Sequence, residues 1–514
     1  MDFLKDIKPR EYQQKIFEKC IDKNCLVVLP TGLGKTLIAL MLAIKRMQTF
    51  RGEKVVFLAP TKPLAEQHLN YFKKHLPELF GQMDLFTGEI NAEKRKKLWE
   101  TSDIIFSTPQ CVANDVKNNL YDLAEVCLLV EDEAHRCVKN YDYNFIARRY
   151  MEQSENPRIL GLTASPGSTM QKIEEICRNL SIETVESRTR ESDDVKEYLQ
   201  ELKFEKIMVD FPPELQEIKN AFSALFNKYV NELKSRKILF EFPSKTNLIN
   251  LQKKISHMIS TGGKNFNYLI GASTCAQAIK IQHALELLET QTLSSFNKYL
   301  RNLLDEAAKK KSKGVIKLVS MPEFNFAFVK SNELLEKSFE HPKLKKTEEI
   351  VKEEKARNKE VKIIIFTQFR ETASIISKRM NGIEGIRAKV FIGQAKKAGE
   401  GLSQKEQKKI IEDFSEGKIN VLCATSIGEE GLDIPEVNVV IFYETIPSAI
   451  RKIQRSGRTA RLIEGKLIML ITKGTRDETH FYVSRAREKK MDSLMDSMKD
   501  GFKYEKRDKQ EKLY

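Results

Sequence analysis

Three segments of this chain carry residue types that could handle a triphosphate. In the first, Leu26-Val27-Val28-Leu29 runs into Pro30-Thr31-Gly32-Leu33-Gly34-Lys35-Thr36, which opens the apolar run Leu37-Ile38-Ala39-Leu40. The order is strand, glycine-bearing loop, helix. Backbone N–H groups of such a loop point inward and the helix N-terminus adds positive potential, so Thr31, Gly32 and Gly34 can shape a phosphate cradle. Lys35 has the reach for the outer phosphates, and the Thr36 hydroxyl suits a magnesium ion. Leu29 stands where the strict pattern has a further glycine. The second segment is Val130-Glu131-Asp132-Glu133-Ala134-His135, an apolar run ending in carboxylates. Doubly wound sheets bind ligands at the carboxyl edge of their strands. Asp132 suits the metal, directly or through water, and Glu133 suits orienting and deprotonating an attacking water. His135 falls at the same edge, placed to link the site to the segment that follows. In the third segment, Gln454-Arg455-Ser456-Gly457-Arg458-Thr459-Ala460-Arg461, the spacing of Arg458 and Arg461 gives them one helix face. Two guanidinium groups there could neutralise charge growing on a transferred γ-phosphoryl group.

These segments need elements to hold them. Consecutive apolar residues at 26–29, 55–59, 103–107, 126–130 and 159–162 read as strands buried on both faces, with helical stretches such as 63–75 between them. The same grammar returns at 362–366, 388–392, 421–424, 437–442 and 467–471. Alternating strand and helix implies a parallel sheet covered on both sides. The middle differs. Leu215, Ile218, Phe222, Leu225, Tyr229 and Leu233 recur at three- and four-residue steps, as do Leu248, Leu251, Ile255, Met258 and Ile259, and later Leu293, Phe296, Leu300, Leu303 and Ala307. Gly262-Gly263 separates two of these helices. The expected organisation is an α/β unit at 1–188, an all-helical insert at 189–340, a second α/β unit at 341–485 and a charged tail at 486–514. The glycine loop and the arginine pair then lie on different α/β units, and a nucleotide would sit between them.

Composition narrows the function classes. Among 514 residues, 87 Lys and Arg face 72 Asp and Glu, for a net charge of +15. Such an excess points to a polyanionic partner, most simply nucleic acid. The run Lys309, Lys310, Lys311, Lys313 and Lys317 offers either a solvated helix end or a contact with phosphate backbone. Eight cysteines occur without a Cys-x-x-Cys pair, which excludes the common zinc and redox motifs. The N-terminus carries charges where a signal peptide needs an apolar run, and no apolar stretch approaches the roughly 20 residues of a spanning helix. A soluble, cytoplasmic, reducing location is expected, with no membrane partner.

Together these segments resemble a superfamily 2 helicase with a DEAH box, and further segments match in order. Arg10-Glu11-Tyr12-Gln13 is similar to the adenine-reading segment of that family, which implies base contact by Gln13 with Arg10 beside it. Ala59-Pro60-Thr61-Lys62-Pro63-Leu64 resembles motif Ia, Thr163-Ala164-Ser165-Pro166 motif III, and Phe366-Thr367-Gln368-Phe369-Arg370 motif IV. Motif V is matched by 424–433, whose Gly431 and Asp433 would face the nucleotide, and motif VI by 454–461, where Gln454 would help place the water or γ-phosphate. The resemblance implies two RecA-like domains, ATP and Mg²⁺ as cofactors, and nucleic-acid contacts at Thr61, Lys62, Thr87, Gly88, Thr108, Gln368, Arg370 and Thr425. Hydroxyls suit phosphate oxygens, which carry no base information. Within the superfamily the wording is most similar to the archaeal Hef and Fanconi anaemia M motors. That implies an ATP-dependent helicase or translocase with 3′-to-5′ polarity on forked or branched DNA in replication-fork repair. Hef proteins commonly carry an XPF-type nuclease domain with a Glu-Arg-Lys-x-x-x-Asp centre after the motor. Glu505-Lys506-Arg507 is not that centre, so either a stand-alone motor or part of a longer protein is expected. The rival readings are a double-stranded-RNA motor of the Dicer or RIG-I type and an ATP-switched nucleic-acid scaffold.

Overall fold

A computed structural model describes residues 3–30, 32–139, 141–167, 169–189, 192–198, 202–261, 266–310, 312–393, 402–425, 437–445 and 465–499. Two parallel sheets organise it. The first contains β1 (Cys25–Val28), β2 (Lys54–Leu58), β3 (Met83–Phe86), β4 (Ile104–Ser107), β5 (Val126–Asp132), β6 (Ile159–Thr163) and β7 (Thr184–Ser187), in the order β3-β4-β2-β5-β6-β1-β7. The second contains β8 (Leu202–Val209), β9 (Ile363–Phe366), β10 (Ala388–Phe391), β11 (Val421–Ala424), β12 (Val439–Phe442) and β13 (Gly465–Thr472), in the order β10-β11-β9-β12-β13-β8. Every pairing among the described strands is parallel.

The strands are apolar at successive positions because helices cover both faces. In β1, Cys25 and Val27 enter one core while Leu26 and Val28 enter the other. In β9, Ile363 and Ile365 face one layer, and Ile364 and Phe366 face the opposite one. Each such buried side chain contributes about 1.5–3 kcal/mol, so a polar residue at these positions would be costly on either face. The alternation rigidly fixes the carboxyl ends of the strands, where the candidate residues sit.

Between β8 and β9 the chain forms a bundle of helices, Pro213–Ser235, Lys245–Ser260, Phe266–Thr290, Leu293–Ala308, Lys313–Val319 and Pro322–Glu336. Leu215, Ile218, Phe222, Leu225, Tyr229 and Leu233 are all buried in one cluster with Phe296, Leu300 and Phe324. Ser244, Thr292 and Ser312 cap their helices by accepting from Asn247, Ser295 and Val315 N–H. The expected all-helical 189–340 is corrected at its start. Leu202–Val209 forms β8, which pairs with β13 at the edge of the second sheet. Its charged Lys203, Glu205 and Lys206 are tolerated there because an edge strand is only partly covered. The boundary expected at 485/486 is also crossed, since one helix spans Arg476–Lys499 and packs against both β13 and β7.

The bundle is joined to the second sheet by buried polar contacts. The Thr367 hydroxyl donates to Gln291 Oε1 at 3.2 Å, and the Ser295 and Thr372 hydroxyls meet at 3.2 Å. Arg476 N–H donates to Glu289 Oε2 at 3.0 Å, while its guanidinium donates to Gln282 O at 2.8 Å. At the centre Lys343 pairs with Asp477, both side chains fully buried.

Candidate nucleotide and nucleic-acid site

The sheet order sorts the expected residues into two groups along one edge. The glycine loop follows β1, Asp132 ends β5 and Thr163 ends β6; these three strands are neighbours. Thr61, Thr87 and Thr108 follow β2, β3 and β4, the other three neighbouring strands. Thr61 and Thr108 are each the N-cap residue of the helix that leaves the edge.

The glycine loop is tightly constrained. Gly34 has φ +73, and a Cβ there would lie 2.3 Å from Gln13 Nε2. A side chain there would strain the backbone and push the Gln13 carboxamide away from the loop. The Gln13 amide donates to Leu33 O at 3.1 Å and to Gly34 O at 3.4 Å, while its oxygen accepts from Arg10 N–H at 2.8 Å. Its carboxamide is thus turned onto the loop. There it joins the donors those carbonyls already have, the Tyr12 hydroxyl on Leu33 O at 2.7 Å and Leu37 N–H on Gly34 O at 3.0 Å. Arg10 lies over the Tyr198 ring, 5.0 Å from its centroid. Lys35 Nζ donates to Leu29 O at 2.8 Å. Gly32 has φ +90.

At the acidic edge the structure contributes a residue that the sequence reading did not name. His68 Nε2 lies 2.9 Å from Asp132 Oδ2, and its Nδ1 lies 3.4 Å from the Thr36 hydroxyl. An acceptor-only carboxylate requires the hydrogen on Nε2. The imidazole packs 4.4 Å from the Phe57 ring. A sequence signal existed. Ala65, His68, Leu69, Phe72 and His75 are the buried stripe of helix Lys62–His75, and the two histidines are its polar members. Burial pushes the Asp132 carboxyl up, but the His68 bond, the His68 charge and Lys35 together outweigh it and hold it below the ordinary range.

Glu133 sits in the left-handed region at φ +53. For a residue with a side chain this costs on the order of 1–3 kcal/mol, a strain that tends to persist at functional sites. Its Oε2 is buried without a hydrogen-bond partner and lies 3.3 Å from His135 Nδ1. That same nitrogen is 3.2 Å from the Thr163 hydroxyl, which accepts from Ser165 N–H at 3.1 Å. The edge of β5 is thereby wired to the edge of β6. Glu131, one residue earlier, is fully buried and accepts from the Cys137 thiol at 3.1 Å; burial pushes its carboxyl up to about 8.

These residues fit a magnesium ion. Among the described residues no three His, Cys, Asp or Glu side chains gather to hold a metal unaided. Magnesium uses one or two carboxylates together with substrate phosphates and water. Asp132, kept ionised, and the Thr36 hydroxyl supply such a donor set, with the unpartnered Glu133 oxygen beside it.

The expected nucleic-acid residues are placed as follows. Thr61 Oγ1 is buried without a partner, and Lys62 pairs with Glu89 at 2.5 Å, so its charge is partly neutralised. Thr87 is buried, whereas Gly88 is exposed with open space above it. On the second sheet, Gln368 N–H donates to Glu444 Oε1, Arg370 donates to Gly393 O at 3.4 Å, and Thr425 N–H donates to Phe391 O at 3.1 Å. Lys309 and Lys310 are exposed at the end of helix Leu293–Ala308. Thr31, Lys311, Gly431, Asp433, Gln454, Arg458 and Arg461 lie outside the described residues, as does the Gly262-Gly263 break. No helix among the described residues is long and apolar enough to cross a membrane.

Comparison with known proteins follows the same division. Residues 10–173 match the family described as DEAD/DEAH box helicase, residues 342–463 the helicase conserved C-terminal domain, and residues 214–337 a bundle described as "Putative ATP-dependent RNA helicase, helical bundle". The solved structure of the Pyrococcus furiosus Hef helicase domain superposes with a TM-score of 0.72 and 42% identity, covering 94% of this chain and 100% of that one. A Methanocaldococcus jannaschii protein named "Putative ATP-dependent RNA helicase" is 39% identical over 96% of this chain and 61% of its own. The ATP-dependent DNA helicase fml1 of Schizosaccharomyces pombe is 33% identical over 90% of this chain and 57% of its own. The mouse Fanconi anemia group M protein homolog is 31% identical over 92% of this chain. The chain spans 61%, 57% and 25% of the lengths of these three relatives.

Proposed function

The chain belongs to the DEAD/DEAH-box helicases of superfamily 2, in the group of the archaeal Hef and Fanconi anaemia M motors, and from that premise we propose that it is an ATP-driven DNA helicase or translocase acting on forked or branched DNA in repair. The observation that carries this reading is the sorting of one sheet edge. A phosphate cradle and an ionised carboxylate occupy β1 and β5, and three threonine-bearing turns occupy β2, β3 and β4 of the same sheet. A ligand at one end of that edge is mechanically joined to a strand at the other.

In this reading Lys35 and the loop N–H groups hold the phosphates, while Thr36 and Asp132 would hold a magnesium ion, which would screen charge on the transferred group. His68 is a positioning residue that fixes the Asp132 carboxylate. Glu133 orients and deprotonates the attacking water, and His135 passes the state of that site to Thr163 and Ser165. Gln454, Arg458 and Arg461 complete the site from the second lobe, with Gly431 and Asp433 at its rim and Gln13 and Arg10 bracing the loop. Thr61, Lys62, Thr87, Gly88 and Thr108 on one lobe, with Gln368, Arg370 and Thr425 on the other, hold a phosphate backbone without reading its sequence. Lys309, Lys310 and Lys311 add charge from the bundle.

The test is a turnover and unwinding panel on forks, four-way junctions, linear duplex DNA and duplex RNA, run with wild type and Glu133→Gln. Turnover stimulated most by branched DNA, and lost by at least about 100-fold in Glu133→Gln with ATP binding retained, is the expected result. Stimulation by duplex RNA in place of DNA would move the substrate to the RNA motors. Nucleic-acid binding without turnover would leave the scaffold reading.

A further inference from the structure

The outer end of the helical bundle exposes a group of aromatic side chains that neither the nucleotide site nor the threonine turns use. Phe240 and Phe242 are 83% and 81% exposed on the loop between helices Pro213–Ser235 and Lys245–Ser260, and Phe266 is 74% exposed at the start of helix Phe266–Thr290. Scattered exposed apolar residues are ordinary, but a cluster on one loop calls for an occupant.

The loop is held firmly. Ile238 and Leu239 are buried, and their N–H groups both donate to Leu233 O, at 3.0 and 3.3 Å. Phe242 O accepts from Ser244 N–H at 2.7 Å and from the Asn247 amide at 3.0 Å, and Pro243 O accepts from Gln282 at 3.3 Å. Arg236 donates to Asn267 Oδ1 at 3.1 Å, which ties the loop to the helix start beside Phe266. Phe240 and Phe242 stand two apart around Glu241. Behind them is a cleft of about 300 Å³ lined by Lys237, Phe240, Asn250, Lys254 and Tyr268, among others.

The charge around this surface selects its occupant. Residues 228–269 contain eight Lys and Arg against two Glu. Glu232 is paired with Arg236, and Lys245 with Glu286. Lys228, Lys234, Lys237, Lys253 and Lys254 make no ion pair among the described residues. Protein interfaces are depleted in lysine at their centre. Aromatic rings rimmed by unpaired lysines are instead the composition of a single-strand platform, where bases stack on rings and ammonium groups follow the phosphates.

We propose that Phe240 and Phe242, with Phe266 beside them, form a platform on which unpaired nucleobases of a branched substrate stack, flanked by Lys237 and Lys254 as phosphate contacts. The proposal rests on the nucleic-acid-motor reading. It adds a bundle contact to bases, which a duplex withholds and an open arm presents.

The experiment uses the full chain, without ATP, and three labelled probes: a fork with two single-stranded arms, the same fork with abasic arms, and a blunt duplex. The Phe240→Ala, Phe242→Ala double variant is expected to lose about tenfold or more in affinity for the open fork, with the blunt duplex unchanged. Wild type should bind the abasic fork as weakly as the variant binds the open one. Because both rings are exposed, folding should be intact, and a duplex affinity equal to wild type checks it. Phe242→Trp supplies a second readout. Its fluorescence should be quenched by the open fork and not by the abasic fork, against a native Trp99 that is buried and stacked on Tyr121 at 3.9 Å. Lys237→Gln with Lys254→Gln should instead lower the salt dependence of binding by about two phosphate contacts. Equal affinity of wild type for open and abasic forks, with no quenching, would overturn the platform while leaving the motor reading intact. Absence of binding to every probe would overturn both. A change in self-association caused by the Phe240→Ala, Phe242→Ala variant, without any effect on the forks, would assign the surface to a second copy of the chain and reject the base platform.

Discussion

Among the described residues, Asp132 in the first lobe and Asp477 in the second are buried at the carboxyl side of their sheets, and the two are treated differently. Asp477 in the second lobe is fully buried and takes three donors: the Lys343 ammonium, Thr445 N–H at 2.8 Å and Thr472 N–H at 3.0 Å. Lys343 in turn reaches Thr290 O in the helical bundle at 3.4 Å. Asp132 in the first lobe takes two donors, His68 and the Glu133 backbone N–H, and next to it the buried Glu133 Oε2 accepts no hydrogen bond and lies 3.3 Å from His135 Nδ1. A saturated carboxylate is a pin, since nothing further can bind without breaking the fold. An undersaturated one is a place for a ligand, because buried polar atoms without partners are rare and costly. The same α/β architecture thus uses its buried charge for coupling to the bundle on one side and for chemistry on the other.

The contrast can be broken hardest at the pin. Lys343→Ala strands Asp477 in the interior and should destabilise the chain by about 3–5 kcal/mol, read by urea unfolding. Lys343→Met combined with Asp477→Leu should recover most of that loss, as replacement of a buried ion pair by apolar residues commonly does. If Lys343→Ala unfolded at the wild-type denaturant concentration, the pair would have no role in joining bundle to sheet. At the undersaturated aspartate the effect should fall on the ligand. His68→Ala is expected to weaken magnesium dependence of the ATPase about 10–100-fold, the usual consequence of removing the partner that orients a ligating group. Stability should change less than for Lys343→Ala. A magnesium titration superimposable on wild type would show that Asp132 needs no such support.

A pH-dependent effect distinguishes Glu131 from its neighbours. Burial raises its carboxyl from 4.5 to about 8 in the folded chain. A carboxyl raised on folding holds its proton when the unfolded chain has lost it, so stability falls as pH rises from about 4.5 toward 8 and levels above. The slope inside that window is about 1.4 kcal/mol per pH unit from this group. Glu131→Gln should remove the slope, so unfolding free energies of variant and wild type converge near pH 5 and separate toward pH 8 in favour of the variant. Parallel curves for the two across pH 5–8 would place Glu131 in contact with water.

Legibility in the sequence followed the number of neighbours an element has. The interior strands β1, β2, β4, β5, β6, β9, β11, β12 and β13 read directly, because two covered faces and two paired edges leave only apolar side chains possible. β3, β7 and β8 did not, and all three are sheet edges carrying charged or polar residues such as Asp84, Glu186 and Lys206. β10 is an edge too, yet its Ala388, Val390 and Phe391 kept it readable. Within the site, residues contiguous with the glycine loop and the acidic cluster were visible as motifs. His68 was not, since its meaning comes from the fold of helix Lys62–His75 against β5.

By itself the sequence determined the chemistry that could occur here. Glycines at positive φ, a lysine beside a helix start and adjacent carboxylates after an apolar strand are local choices with local physical causes. The tertiary structure decided which of those groups meet. Strand order brought β1 beside β6 across more than 100 residues of chain, and β6 beside β5; a helix carried an imidazole onto Asp132, and a buried ion pair tied the bundle to the second sheet. Such contacts follow from packing two faces of a sheet at once, a condition no short stretch of residues contains.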